Sequence, residues 1–183
     1  MVESEVIFAI GHSTRKLTDF IRTLQAHSVN LLIDIRTIPR SRHNPQFNQD
    51  SLKRKLRTKK IEYLHLKELG GLRHAQKDSV NTGWRNKSFR GFADYMQTDE
   101  FSEGLRKLIQ LGRKKKVAIM CAEGNPFRCH RTLVADALTI RKIKVYHIAS
   151  SKSVREHRLT RFAVVRGKKI TYPVESIYAL VSV

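Results

Sequence analysis

Four short apolar runs most constrain how this chain folds: Val6–Ile10, Leu31–Ile35, Val117–Cys121 and Lys144–Ile148. Each has the length of a strand, and helical periodicity fills much of the chain between them. Thr18 is placed to cap a helix that carries Phe20, Ile21 and Leu24 on one face. A basic helix is expected from Asp50 or Ser51, and further helices over Phe89–Met96, Phe101–Leu111 and Pro126–Arg141. Ile61–Leu66 alternates like another strand, and residues 161–174 read as a hairpin turning near Gly167. Strand–helix alternation of this kind predicts an α/β fold: a mainly parallel sheet flanked by helices, with a C-terminal β-hairpin. In such sheets ligands bind beyond the carboxyl ends of the strands.

The 183 residues are read as a single α/β domain, with 151–183 as a basic C-terminal extension of it. No apolar run is long enough to span a bilayer. The opening MVESEVIFAIGHS places acids before a short apolar run, so it reads as a first strand rather than a signal peptide. The only two cysteines, Cys121 and Cys129, make no disulfide framework and are expected to be free thiols in the cytoplasm. Charge sets the class of partner. There are 36 Lys and Arg against 16 Asp and Glu, a net charge of +20. Six basic residues fall in 53–60, four in 113–116 and seven in 152–169. The expected partner is a nucleic acid, DNA ahead of RNA, with no membrane involved; oligomeric state is left open.

Polar residues gather where the strands end. Asp34 and Arg36 close the second strand, two residues apart and so on one face, as either a structural ion pair or a catalytic acid beside a cation. Arg40 and Ser41 follow in a loop suited to phosphate contacts. Tyr63 and His65 share a strand face, for base stacking and proton transfer or for packing. Gly70-Gly71 before Arg73 implies close backbone approach, and Tyr95 belongs to an aromatic and basic cluster. In KVAIMCAEGNPFRCHRTLV, residues 116–134, a strand ending in Cys121 turns through Glu123 into a segment that carries Cys129, His130 and Arg131. Helical projection turns His130 inward, Arg128 outward and Arg131 to the border. Asp34, Glu123, His130 and Cys121 are therefore the catalytic candidates. Arg36, Arg40, Ser41, Tyr63, His65, Arg73, Tyr95 and Arg131 are the substrate-binding ones. No cofactor or metal is expected, because the spacing matches no standard zinc pattern and adjacent Cys129 and His130 would diverge by about 100° on a helix.

Several short motifs, in order, resemble those of one protein family. They are Gly11-His12-Ser13, Asp34-Ile35-Arg36 with Pro39-Arg40-Ser41, Tyr63-Leu64-His65-Leu66, Leu69-Gly70-Gly71-Leu72-Arg73, Phe92-Ala93-Asp94-Tyr95-Met96, and Cys121-Ala122-Glu123 with Cys129-His130-Arg131. As a set they are similar to family 488 of the domains of unknown function, over residues 8 to about 148. Relatives linked to DNA base excision make that activity what the resemblance implies. The leading expectation is a nucleic-acid-acting enzyme that hydrolyses an N-glycosidic bond in DNA repair. One alternative is a small-molecule enzyme using Cys121 on a phosphate or sulfur substrate; there the six residues between Cys121 and Arg128 exceed the five of a phosphatase loop. Another is a non-catalytic nucleic-acid-binding module.

Overall fold

The computed structural model describes residues 5–174. Six strands form one sheet: β1 (Val6–Gly11), β2 (Leu31–Asp34), β3 (Glu62–His65), β4 (Val117–Cys121), β5 (Lys144–Ser150) and β6 (Ser153–Glu156). Their order is β3-β2-β4-β1-β5-β6. The first five are parallel and β6 returns antiparallel to β5 at the edge. A separate hairpin pairs β7 (Val164–Arg166) with β8 (Lys169–Thr171). Gly167, in the connection, sits at φ +61°, the left-handed region that glycine enters freely. The architecture is the expected one; β6, short and exposed throughout, carries no apolar signal in the sequence.

Among the described residues, five helices cover the sheet: α1 (Leu17–Ala26), α2 (Gln49–Arg57), α3 (Lys87–Tyr95), α4 (Asp99–Lys114) and α5 (Arg131–Thr139). Helix α1 begins without a side-chain cap, and Thr18 falls inside its first turn. Asn86 caps α3 through Ser88 N, and Thr98 caps α4 through Phe101 N. Asp99 and Glu100 open α4 while Arg113 and Lys114 close it, each charge opposite in sign to the helix end it occupies. None of the described helices is long and apolar enough to cross a membrane.

The pleat of the sheet divides the interior into two cores. Ile7, Ala9, Leu31, Ile33, Ile35, Val117 and Ile119 face α3, α4 and α5. Phe8, Ile10, Leu32, Ala118 and Met120 face α1 and α2, packing on Phe20, Leu24, Leu52 and Leu56. The chain lays β1, β2 and β3 outward in one direction, then inserts β4 between β1 and β2. The crevice beyond the carboxyl ends of β2, β4 and β1 is the switch point where such sheets take ligands.

The hairpin is fastened by a buried polar network. Asp136, fully buried on α5, accepts from His157 Nε2 (2.8 Å), Thr160 N (3.0 Å) and Tyr172 OH (2.8 Å). Because His157 Nε2–H is directed at a carboxylate, its Nδ1 accepts from His147 Nε2 at 3.0 Å. His147 Nδ1 is then a buried acceptor with no partner among the described residues. Burial, and then the neighbouring His157, push the His147 pKa down from 6.5 to about 4. Unfolding restores the ordinary value, so the unfolded chain binds more protons between those pH values and stability falls as pH drops through the window. Unfolding free energies from denaturant titrations between pH 7 and pH 4 are expected to fall by up to about 3 kcal/mol from this group. His147→Gln, which keeps a donor but does not titrate, is expected to flatten that part of the profile.

Candidate active site

Alternation along the strands separates the polar residues gathered at their ends. Ile33 and Ile35 point to the α3–α5 side, so Asp34 and Arg36 point to the α1–α2 side. There Asp34 is fully buried and saturated. Its Oδ1 accepts from Arg36 N (3.0 Å) and Nε (2.9 Å); its Oδ2 accepts from Arg36 NH2 (2.6 Å) and Tyr63 OH (2.7 Å). Arg36 also donates to Phe47 O at 2.8 Å and approaches His12 Nε2 at 3.4 Å, while His12 stacks on the Phe47 ring. His65 Nε2 lies 2.8 Å from the Arg36 carbonyl. Burial, and then the Asp34 charge, raise the Tyr63 pKa well beyond its ordinary value, so the phenol stays a donor to the carboxylate. Burial alone would lower the Arg36 pKa, but the Asp34 carboxylate outweighs it and raises it. This cluster ties the loop after β2 to β3 and to Phe47. Asp34 has no free lone pair directed at solvent, which favours the structural ion pair over the catalytic acid; Arg36, Tyr63 and His65 are likewise engaged internally.

The opposite face of the strand ends holds the sulfurs. Cys121 follows Val117 and Ile119 toward α5. A continuous helix over Pro126–Arg141 does not form. Asn125 caps a short 3-10 turn, Pro126–Arg128, then Cys129 is extended (φ −133°, ψ 139°) and α5 starts at Arg131. This break rotates Cys129 and His130 onto a common point, so the divergence expected of helical neighbours is absent. His130 Nδ1 lies 3.8 Å from Cys121 Sγ and 3.9 Å from Cys129 Sγ. The three donor atoms lie within 4.8 Å of one another, a grouping able to hold a metal, contrary to the expectation from spacing alone. His130 Nε2 is 3.0 Å from the Ile35 carbonyl, so Nε2 carries the proton and Nδ1 presents its lone pair to the sulfurs. Phe92 packs on the ring at a centroid distance of 5.0 Å.

Arg131 is 1% exposed, so it does not reach a substrate phosphate as expected. It donates from Nε to Cys129 Sγ at 3.3 Å and from NH2 to Glu123 O at 2.6 Å. Burial opposes ionisation of Cys129, but a hydrogen bond from Cys121 and the Arg131 charge hold its thiol well below the usual range. The hydrogen bond to Cys129, followed by burial, pushes Cys121 up. Between the two sulfurs, these surroundings favour ionisation at Cys129 over Cys121.

Glycines set the distances between these parts. A Cβ on Gly71 would sit 2.3 Å from His130 Nδ1, so the close approach implied by Gly70-Gly71 is to this imidazole. A Cβ on Gly11 would sit 1.9 Å from Glu123 O, where β1 continues along β4 through His12 N to Cys121 O and Ser13 N to Ala122 O.

Between the loop after β2 and the loop after β4 lies a cleft of about 400 Å³. Cys121, Cys129, His130 and Gly71 floor it, and Arg36 forms part of its wall. Its rim carries Ile38 and Leu72, exposed at 58% and 66%, beside exposed Arg40, Glu123 and Arg128. Arg40 also lines an adjoining groove with Arg54 of α2, and from there the exposed Lys53, Lys55, Arg57, Lys59 and Lys60 continue the positive surface. Of the four catalytic candidates, Cys121, Glu123 and His130 meet in the cleft and Asp34 lies behind its wall. Among the proposed contacts, Arg40 stands at the rim. Ser41 organises its own loop, with Oγ accepting from Asn44 N and N donating to Asn48 Oδ1. Arg73 donates to Gly70 O and covers the Tyr95 ring at 3.5 Å, and Tyr95 donates to Glu68 O, so both brace the 70–86 loop. Sequence reasoning missed Cys129 as a site residue and Ile38 and Leu72 as an apolar rim. Two apolar residues in otherwise polar loops were the available signal for the latter.

Neither the curated proteins nor the solved structures contain a match to this chain. The sequence profile of one family does match, over residues 16–138, a span that includes every cleft residue named above. The chain belongs to that family, described as the domain of unknown function DUF488.

Proposed function

We propose that the protein is a nucleic-acid-acting enzyme that takes a single nucleotide into the strand-end cleft, with hydrolysis of an N-glycosidic bond as its reaction. One observation carries this reading: the cleft rim combines exposed Ile38 and Leu72, the cations Arg40 and Arg128, and the exposed carboxylate of Glu123. Enzymes that act on a base must unstack it, and apolar side chains at a rim fill the space that the base leaves. Arginine holds the flanking phosphates, and Arg40 leads from the cleft to the basic surface of α2 in a molecule of charge +20.

Glu123 is assigned the acid–base role, since Asp34 is spent on Arg36 and Tyr63. As its carboxylate takes a proton from water, the water oxygen bonds to the sugar C1′. The C1′–N bond breaks, and its electron pair leaves with the base, which picks up a proton from solvent. A negative charge beside the sugar also favours the cationic character that develops at C1′.

Incubation with duplexes and single strands carrying a panel of damaged bases is expected to release free base from at least one substrate. Glu123→Gln should lower that rate by roughly 10²–10⁴-fold while leaving nucleic-acid affinity unchanged or higher. An absence of base release across the panel with fully folded protein would remove the enzymatic reading. In fluorescence-anisotropy titrations, Arg40→Ala and Arg128→Ala are each expected to reduce the slope of log affinity against log salt by about 1. Unchanged slopes would place the nucleic acid elsewhere on the surface.

A further inference from the structure

We infer that Cys121, Cys129 and His130 form a binding site for a zinc-type divalent cation, with three protein ligands and a fourth position open to the cleft. The inference rests on donor geometry, not on the nucleic-acid reading. Zinc bound tetrahedrally at about 2.3 Å from sulfur and about 2.0 Å from imidazole nitrogen sets sulfur–nitrogen separations of about 3.5 Å and sulfur–sulfur separations of about 3.8 Å. Here the nitrogen lies 3.8 and 3.9 Å from the two sulfurs, and all three donors fall within 4.8 Å. The nitrogen–sulfur separations exceed the zinc-bound values by only a few tenths of an ångström.

Three further features suit the metal. The His130 tautomer is set by Nε2–H donation to Ile35 O, which leaves Nδ1 free to ligate; a backbone carbonyl on the far nitrogen is a common support for a metal-bound imidazole. Arg131, buried, donates to Cys129 Sγ and offsets part of the charge that two thiolates would bring into the interior. Gly71 leaves room at the imidazole edge that any side chain would occupy. Two thiolates and one imidazole select zinc over the hard cations magnesium and calcium. All three ligands line the cleft, so the fourth position faces its interior, as in zinc sites that hold a water or a substrate atom rather than in closed four-ligand sites. A dithiol that cycles through a disulfide is the competing use of the same sulfurs. It leaves unexplained why the His130 lone pair is nearly equidistant from both sulfurs.

The test uses the full chain, reduced, stripped with a chelator and free of nucleic acid. Titration with Co(II) is expected to develop thiolate-to-cobalt charge transfer and tetrahedral d–d bands that saturate at one ion per chain, and zinc should displace the cobalt. Bound zinc should also protect Cys121 and Cys129 from alkylation. Cys121→Ser and His130→Ala should each weaken zinc binding by at least about 100-fold, and Gly71→Ala, which keeps every ligand, by roughly 10-fold or more. Far-UV circular dichroism of each variant separates ligand loss from unfolding. If the wild-type chain takes up neither cobalt nor zinc, or forms the Cys121–Cys129 disulfide as readily with zinc as without it, the metal site is overturned. Those readouts contain no substrate, so their failure leaves the nucleic-acid reading standing, and the failure of base release leaves the metal site standing.

Discussion

The bidentate pair between Asp34 and Arg36 is the interaction on which the strand-end architecture depends. Both side chains lie in the interior, where an unpaired charge costs several kcal/mol. The pair survives there because the surroundings supply the missing hydrogen bonds. Tyr63 gives Asp34 another donor, and Phe47 O accepts from the guanidinium. Through these bonds β2 is tied to β3 and to the turn that precedes α2. The loop running from Arg36 to Arg40, one side of the cleft, is anchored at this point.

The same pleat that buries the ion pair aims the sulfur cluster the other way. Ile35 marks the boundary. Its side chain belongs to the α3–α5 core, its carbonyl receives His130, and its neighbours Asp34 and Arg36 turn to the opposite core. The two polar clusters therefore lie on opposite faces of one backbone, and only Arg36 of the ion pair borders the cleft. One has every carboxylate oxygen satisfied, as a group that holds structure requires. The other has two free cysteine sulfurs, an imidazole nitrogen between them and an open cleft above, as a group that meets a ligand requires.

Much of the fold is legible in the sequence because apolar runs of strand length and helical periodicities alternate along it. Helix boundaries shift by a few residues where caps decide them: Asn86 starts α3 and Thr98 starts α4 ahead of the first apolar residue. The edge strand β6 is missed because exposed residues such as Arg155 and Glu156 leave no pattern to read. For the site, Glu123, His130 and Cys121 meet at the strand ends, the neighbourhood to which the sequence points. Three placements differ from the sequence reading for distinct physical reasons. Asp34 was placed in the cleft although the alternation of Ile33, Asp34, Ile35 and Arg36 already sends it to the other face. Arg131 was given to phosphate, but the break at Cys129 rotates it inward onto Glu123 O and Cys129 Sγ. Cys129 and His130 were separated by helical geometry that the 3-10 turn after Asn125 prevents. Local backbone breaks of one or two residues lie below what periodicity resolves, and here one such break assembles the sulfur cluster.

The equilibrium unfolding free energy of Asp34→Asn most directly tests the division of labour between the two faces. The substitution preserves shape and leaves the Arg36 guanidinium buried without its counter-charge. If Asp34 holds the strand ends, the variant loses roughly 3–5 kcal/mol of stability near neutral pH. Wild-type stability would contradict that account and return Asp34 to the list of catalytic carboxylates.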